Sequence, residues 1–209
     1  MARKRVNTKF LIILTAVVVI GGAGAIAAYK LRAGRRMTPA QFVTTGDKAA
    51  AEGKFNEAAA NYGAALSLDA QNADLLVKHG DALREATRAN PDLAGRERQS
   101  WEKALEVDPN HLPALQRLLN DSIETSQIAQ MARADTFSQI RDYASKILQL
   151  DPADLVAQNA LATSSIEDWL FGVQTDPTRI DQSINRLQEL MEKDAANADL
   201  PYAIARAMI

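Results

Sequence analysis

The side chains able to do chemistry in this chain are few and scattered. There are two histidines, His79 and His111, and no cysteine among 209 residues. Without cysteine there is no disulfide, no thiol nucleophile and no thiolate-ligated metal site. His79 precedes Gly80 inside a segment of helical pattern. His111 follows Asp108-Pro109-Asn110, a helix-stopping phrase. A surface or capping role fits each better than metal ligation. Carboxylates are numerous, 26 in all, and that many acids on a solvated body pair by chance. No glycine-rich phosphate loop of the G-x-x-x-x-G-K-[ST] kind occurs. The glycines between 21 and 25 lie inside an apolar run, where they cannot cradle a phosphate. Asn120-Asp121-Ser122 satisfies a glycosylation sequon, a common triplet that carries little weight. The chain is therefore read as a non-enzyme with no cofactor and no metal.

What such residues would need is a scaffold, and the composition says which kind. Aromatics are only 5% and alanine is abundant, which favours helix over sheet. The net charge of −2 hides a split. Residues 1 to 36 hold eight of the 24 basic residues and no acid, leaving 16 basic against 26 acidic residues in the remainder. An acidic body argues against nucleic-acid binding, because a phosphate backbone requires a basic surface.

One phrase recurs along the body. ALSLDAQN, ALEVDPN, ILQLDPA and LMEKDAA carry Asp69, Asp108, Asp151 and Asp194 at the same place. A period of 20 to 50 residues is the mark of a solenoid. Each phrase reads as a helix end: an apolar pair packs the last turn, and Pro109 or Pro152 stops the helix. Between the phrases the apolar residues keep helical spacing, as in Phe55, Ala58, Ala59, Tyr62, Ala65 and Leu66. Gly53 marks a helix stop upstream. Each unit is therefore expected to be two antiparallel helices: 39–52 with 55–68, 73–89 with 92–106, 112–131 with 134–149, and 154–171 with 177–193. A further helix is expected from about Ala198. The expected core includes Phe42, Ala49, Tyr62, Leu76, Leu83 and Trp101 in the first two units. Phe55, Ala58, Leu66, Leu105, Leu115, Leu118, Ile147, Leu148, Leu161, Trp169 and Leu190 complete it.

These residues resemble the tetratricopeptide repeat family. In the first unit Phe42, Gly46 and Ala49 match the first helix, and Gly53, Phe55, Ala58, Tyr62 and Ala65 match the turn and second helix. Ala70 stands where the closing proline is usual. Leu76, Gly80, Leu83, Trp101, Ala104 and Pro109 carry the second unit, and later units keep mainly the closing phrase. The family repeat is about 34 residues, so the longer units here imply insertions in helices or turns. The fold class implied is all-α: a helical-hairpin repeat solenoid over 39–209, in units of about 39–72, 73–111, 112–154, 155–197 and the start of another at 198–209.

By that resemblance the first helices line a concave groove that takes a protein or peptide partner. The implied groove positions are Val43, Asp47, Val77, Lys78, Asp81 and Arg84. Farther along they are Gln116, Arg117, Asn120, Asn159, Thr163 and Tyr202. Val43 and Asp47 stand where the subclass that grips a C-terminal carboxylate has a lysine and an asparagine, so that subclass is not expected.

The basic head has its own explanation. Residues 1–9 are basic, 10–29 carry no charge, and 30–38 are again basic. Twenty residues at 1.5 Å each give about 30 Å, the depth of a hydrocarbon core. Positive flanks suit lipid headgroups. A single-pass transmembrane helix is the favoured reading, with the body on the periplasmic or extracytoplasmic side. A cleaved secretory signal is its rival, since Ala23-Gly24-Ala25 and Ala25-Ile26-Ala27 are small-x-small sites. Gly21 with Ala25 and Gly24 with Ala28 are small-xxx-small pairs, and they do not settle an oligomeric state. The final stretch, ADLPYAIARAMI, starts a helix without a partner, from which a longer protein is expected. The function expected is a bacterial-type membrane-anchored scaffold or assembly factor. The alternatives are a secreted periplasmic repeat protein and the docking arm of an enzyme whose catalytic domain lies beyond residue 209.

Overall fold

The computed structural model describes residues 37–89, 94–128, 134–170, 172 and 176–193, and among them every regular element is an α-helix. The order is α1 (Pro39–Ala51), α2 (Phe55–Leu66), α3 (Ala73–Thr87), α4 (Arg96–Val107), α5 (Leu112–Ile128), α6 (Ala134–Leu150), α7 (Leu155–Leu170) and α8 (Pro177–Lys193). Each helix packs on the next, and α3 also touches α5 directly. That is a stack of hairpins with its odd-numbered helices on one face. The expected spans agree with these bounds to within a few residues. The second unit differs most, because α4 begins at Arg96, after Gly95 at φ +84. The expected membrane segment at 10–29 and the helix expected from Ala198 lie outside the described residues. Among the described residues no helix is long and apolar enough to cross a membrane.

The repeated phrase has a specific mechanical role. The Asp108 carboxylate accepts from Asn110 N at 3.0 Å, and the Asp151 carboxylate accepts from Ala153 N at 3.0 Å. These turns bend the chain at once into the next helix. The residue three places later then caps that helix. Asn72 Oδ1 accepts from Leu75 N at 3.0 Å, and Asp154 Oδ1 from Ala157 N at 2.9 Å. His111 Nδ1 accepts from Ala114 N at 3.4 Å. Thr38 opens α1 with a reciprocal capping box to Gln41. Caps of this kind satisfy amide groups that a helix start leaves unpaired. At the end of α1, Gly53 takes φ +72, with Gly53 N bonded to Ala50 O and Lys54 N to Ala49 O. That left-handed position favours a residue without Cβ.

The core runs the length of the stack in four clusters. Ala49, Ala58 and Tyr62 fill the first hairpin. Leu76, Trp101 and Leu118 fill the second, reaching into α5. Leu115, Ile140 and Ile147 fill the third, and Ile166, Leu187 and Leu190 the fourth. The expected core residues are buried or half-buried throughout.

Candidate functional site: the face of the first helices

The faces of α1, α3 and α5 carry charges that meet across the repeat boundaries. Asp47 of α1 accepts from Lys78 Nζ of α3 at 2.8 Å and from Tyr62 Oη of α2 at 2.8 Å. Asp81 of α3 accepts two bonds from Arg117 of α5, from Nε at 2.7 Å and Nη2 at 3.0 Å. Gln116 Nε2 of α5 donates to Asp154 Oδ2 at 2.8 Å, while the other oxygen of Asp154 caps α7. The result is a ladder in which an acceptor of one repeat holds a donor of its neighbour. Only helices whose caps fix their rotation could bring these side chains into register.

The electrostatics follow from that ladder. Burial alone would raise the Asp47 pKa, but the bonds from Lys78 and Tyr62 outweigh it and hold the carboxyl below its ordinary value. Burial, followed by the bond to Asp47, pushes the Tyr62 phenol well above its ordinary range. The bonds that Arg117 donates to Asp81 hold its guanidinium pKa above the ordinary value. Arg84 lies 5.6 Å from the centroid of the Trp101 ring and pairs with Glu124, with Asp121 at 4.0 Å. Asp121 also receives Arg98 Nη1 of α4 at 2.6 Å, and Arg98 reaches Gln139 of α6 at 3.2 Å.

Most of the implied groove positions converge, with exceptions. Asp47, Lys78, Asp81, Arg84, Gln116 and Arg117 enter the ladder. Asn120 is exposed and lines a small cleft of about 100 Å³ with Gln116, Asp154 and Val156. Val43 is half-buried against the first core cluster. Val77 is a correction: it is only 7% exposed and belongs to the core with Leu76, Trp101, Ala114 and Leu118. It leaves the face because α3 and α5 touch there. Asn159 and Thr163 bond each other at 3.1 Å, apart from the ladder. Tyr202 lies outside the described residues.

Sequence reasoning missed Asp121, Glu124 and Arg98. Asp121 lies four residues after Arg117 on α5 and could have been placed on the same helix face. Arg98 sits on a second helix, and no sequence spacing points to its reach onto α5 and α6.

The two histidines are structural. His79 Nδ1 hydrogen-bonds Ser100 Oγ at 2.9 Å, and that hydroxyl lies 3.2 Å from Arg96 O. Burial, helped by nearby Lys103, lowers the His79 pKa. His111 caps α5 through Nδ1 and contacts Asp74 Oδ1 through Nε2 at 3.0 Å. The sequon triplet lies within α5, with Ser122 buried at 2%. Among the described residues no three histidine, aspartate or glutamate side chains converge to hold a metal.

No family model matches the sequence, and no curated protein does. Solved structures do: 31 chains match. One is the crystal structure of the MamA protein, with a TM-score of 0.59 at 17% identity, covering 81% of this chain and 80% of that chain. At that identity the likeness concerns fold alone. Over its described residues the chain is thus an all-helical, tetratricopeptide-repeat-like solenoid, and its fold is similar to that of MamA over about four-fifths of both chains.

Proposed function

We propose that the chain is a protein-binding scaffold whose first-helix face takes a peptide of a partner protein and whose residues 10–29 anchor it in a membrane. The observation that carries the binding reading is the ladder itself. It lines the face with ordered carboxylates, guanidinium and amide groups on rigid helices, and Asn120 and Val156 remain exposed beside it. Exposed ion pairs of this kind contribute only about 0–1 kcal/mol each, so a partner's polar groups can exchange with them at small cost. The fold supports the reading, since a stack of hairpins offers a partner one continuous face. The uncharged run 10–29 with basic flanks supports the anchor, and the short leading segment supports an extracytoplasmic body.

The binding test is site-specific photocrosslinking. A benzoylphenylalanine at Asn120 should give a discrete adduct, whereas one at Glu106 on α4 should not. Equal adducts from both positions would sink the groove reading. The anchor and its sidedness are tested by protease treatment of intact spheroplasts. Digestion of the body places it outside the cytoplasmic membrane, and full protection overturns that placement.

A further inference from the structure

A second recess lies among α6, α7 and α8, built from residues other than those of the ladder. It is an open cleft of about 410 Å³. One wall is the α7 stripe containing Leu161 and Ala162, closed at the end by Leu148 of α6. The opposite wall is the α8 stripe from Arg179 through Gln182 to Arg186. At 1.5 Å per residue the two arginines are about 10 Å apart along the helix.

The charge here reverses that of the body. Outside residues 1–36 acids outnumber bases 26 to 16, yet the cleft lining contains two arginines and no acid. Among the described residues neither arginine is held by a buried partner. Arg186 pairs with Glu189 at 2.7 Å, but both side chains are exposed, at 39% and 58%, and such pairs are weakly held. The Asp176 carboxyl, held below its ordinary value first by the bonds it accepts from Thr178 Oγ1 at 2.7 Å and Thr178 N at 3.0 Å, also feels the charge of Arg179. On the cleft floor Gln158 is 8% exposed. Its Nε2 donates to Pro152 O at 2.6 Å, and its Oε1 has no partner among the described residues.

We infer that this cleft docks an acidic peptide segment of a partner protein, with an apolar side chain against Leu148 and Leu161 and carboxylates facing Arg179 and Arg186. The apolar wall supplies burial and the arginines supply paired, charge-assisted bonds. The site is independent of the ladder, so two partner segments can be held at once.

The probes are a fluorescent hexapeptide of two leucines flanked by pairs of glutamates and its lysine-flanked counterpart, titrated against the 209-residue chain in mild detergent. Saturable binding of the glutamate peptide, at least tenfold tighter than the lysine peptide, is expected. Arg179→Glu with Arg186→Glu should weaken it at least tenfold. Arg179→Gln with Arg186→Gln should weaken it by less, at an unchanged melting temperature, which separates docking from misfolding. Lys78→Glu, in the ladder, should leave this affinity unchanged whether or not the concave face binds its own partner. Affinity lost in Lys78→Glu and kept in the arginine variants would overturn the assignment. So would self-association of the chain, seen by sedimentation and abolished by the arginine variants, since the occupant would then be a second copy.

Discussion

The first two hairpins and the last two solve the same spacing problem by different means. The eighth residue after each first-helix cap is Gly46, Gly80, Leu119 and Ala162 in turn, and all four are buried. In the first half the position is a glycine because an aromatic ring lies on it. A Cβ on Gly46 would stand 2.6 Å from Tyr62 Cε1, and one on Gly80 would stand 2.4 Å from Trp101 Nε1. The helices there are short, from 12 to 15 residues, and the caps Thr38 and Asn72 stand 34 residues apart. In the second half branched and small aliphatic side chains fill the gap, and the helices lengthen to 16 or 17 residues. The lesson is that a hairpin stack needs a set distance between helices rather than a set residue. A ring on a bare backbone and a leucine between two helices are equivalent spacers with opposite sensitivities.

That contrast can be broken by mutation. Trp101 is fully buried, so Trp101→Ala should cost about 3–5 kcal/mol in denaturant unfolding. Leu119→Ala in the second half should cost about 2–5 kcal/mol for the same reason, a cavity. The opposite change separates the halves. Gly80→Ala should destabilise by about 1–3 kcal/mol, because the methyl meets a buried ring that cannot retreat, despite the gain of about 1 kcal/mol in helix propensity. A neutral or stabilised Gly80→Ala would show that the ring is not seated on α3.

Smaller effects sharpen the comparison. Ser122 of α5 sits in the third core with its hydroxyl unpartnered among the described residues. Ser122→Ala should therefore be neutral or stabilising by up to about 1 kcal/mol, against the usual cost of removing a bonded polar group. A clear loss would mean that the hydroxyl does find an acceptor.

The smallest effect is a pH dependence confined to the first half. The His79 pKa is lowered in the folded chain, so folding favours the neutral imidazole. Its contribution is present above the unfolded value of about 6.5 and is lost as the pH falls below it. Thermal melts of the parent between pH 7.5 and 5 should fall more steeply than those of His79→Gln. Parallel curves would exclude His79 as the source.

Much of this architecture was legible because it is local. A helix stop, a turn aspartate and a cap lie within four residues of one another, so Asp108-Pro109 followed by His111 announces a hairpin boundary without any tertiary information. Helical periodicity named the core for the same reason. The face was only partly legible. The family resemblance implied Asp47, Asp81, Lys78 and Arg117 as face positions, but not that the acid of one repeat holds the base of the next.

What the amino-acid order alone determined, then, is the all-helical hairpin array, its repeat boundaries and its core, because capping, breaking and amphipathic spacing act over a few residues. Only the tertiary structure decided which charges meet, that Val77 turns inward, that glycine and ring interlock in two repeats alone, and that two arginines of α8 face an apolar wall of α7. Those outcomes depend on how far and at what rotation one helix sits from another, and that distance is set by side chains remote in the chain.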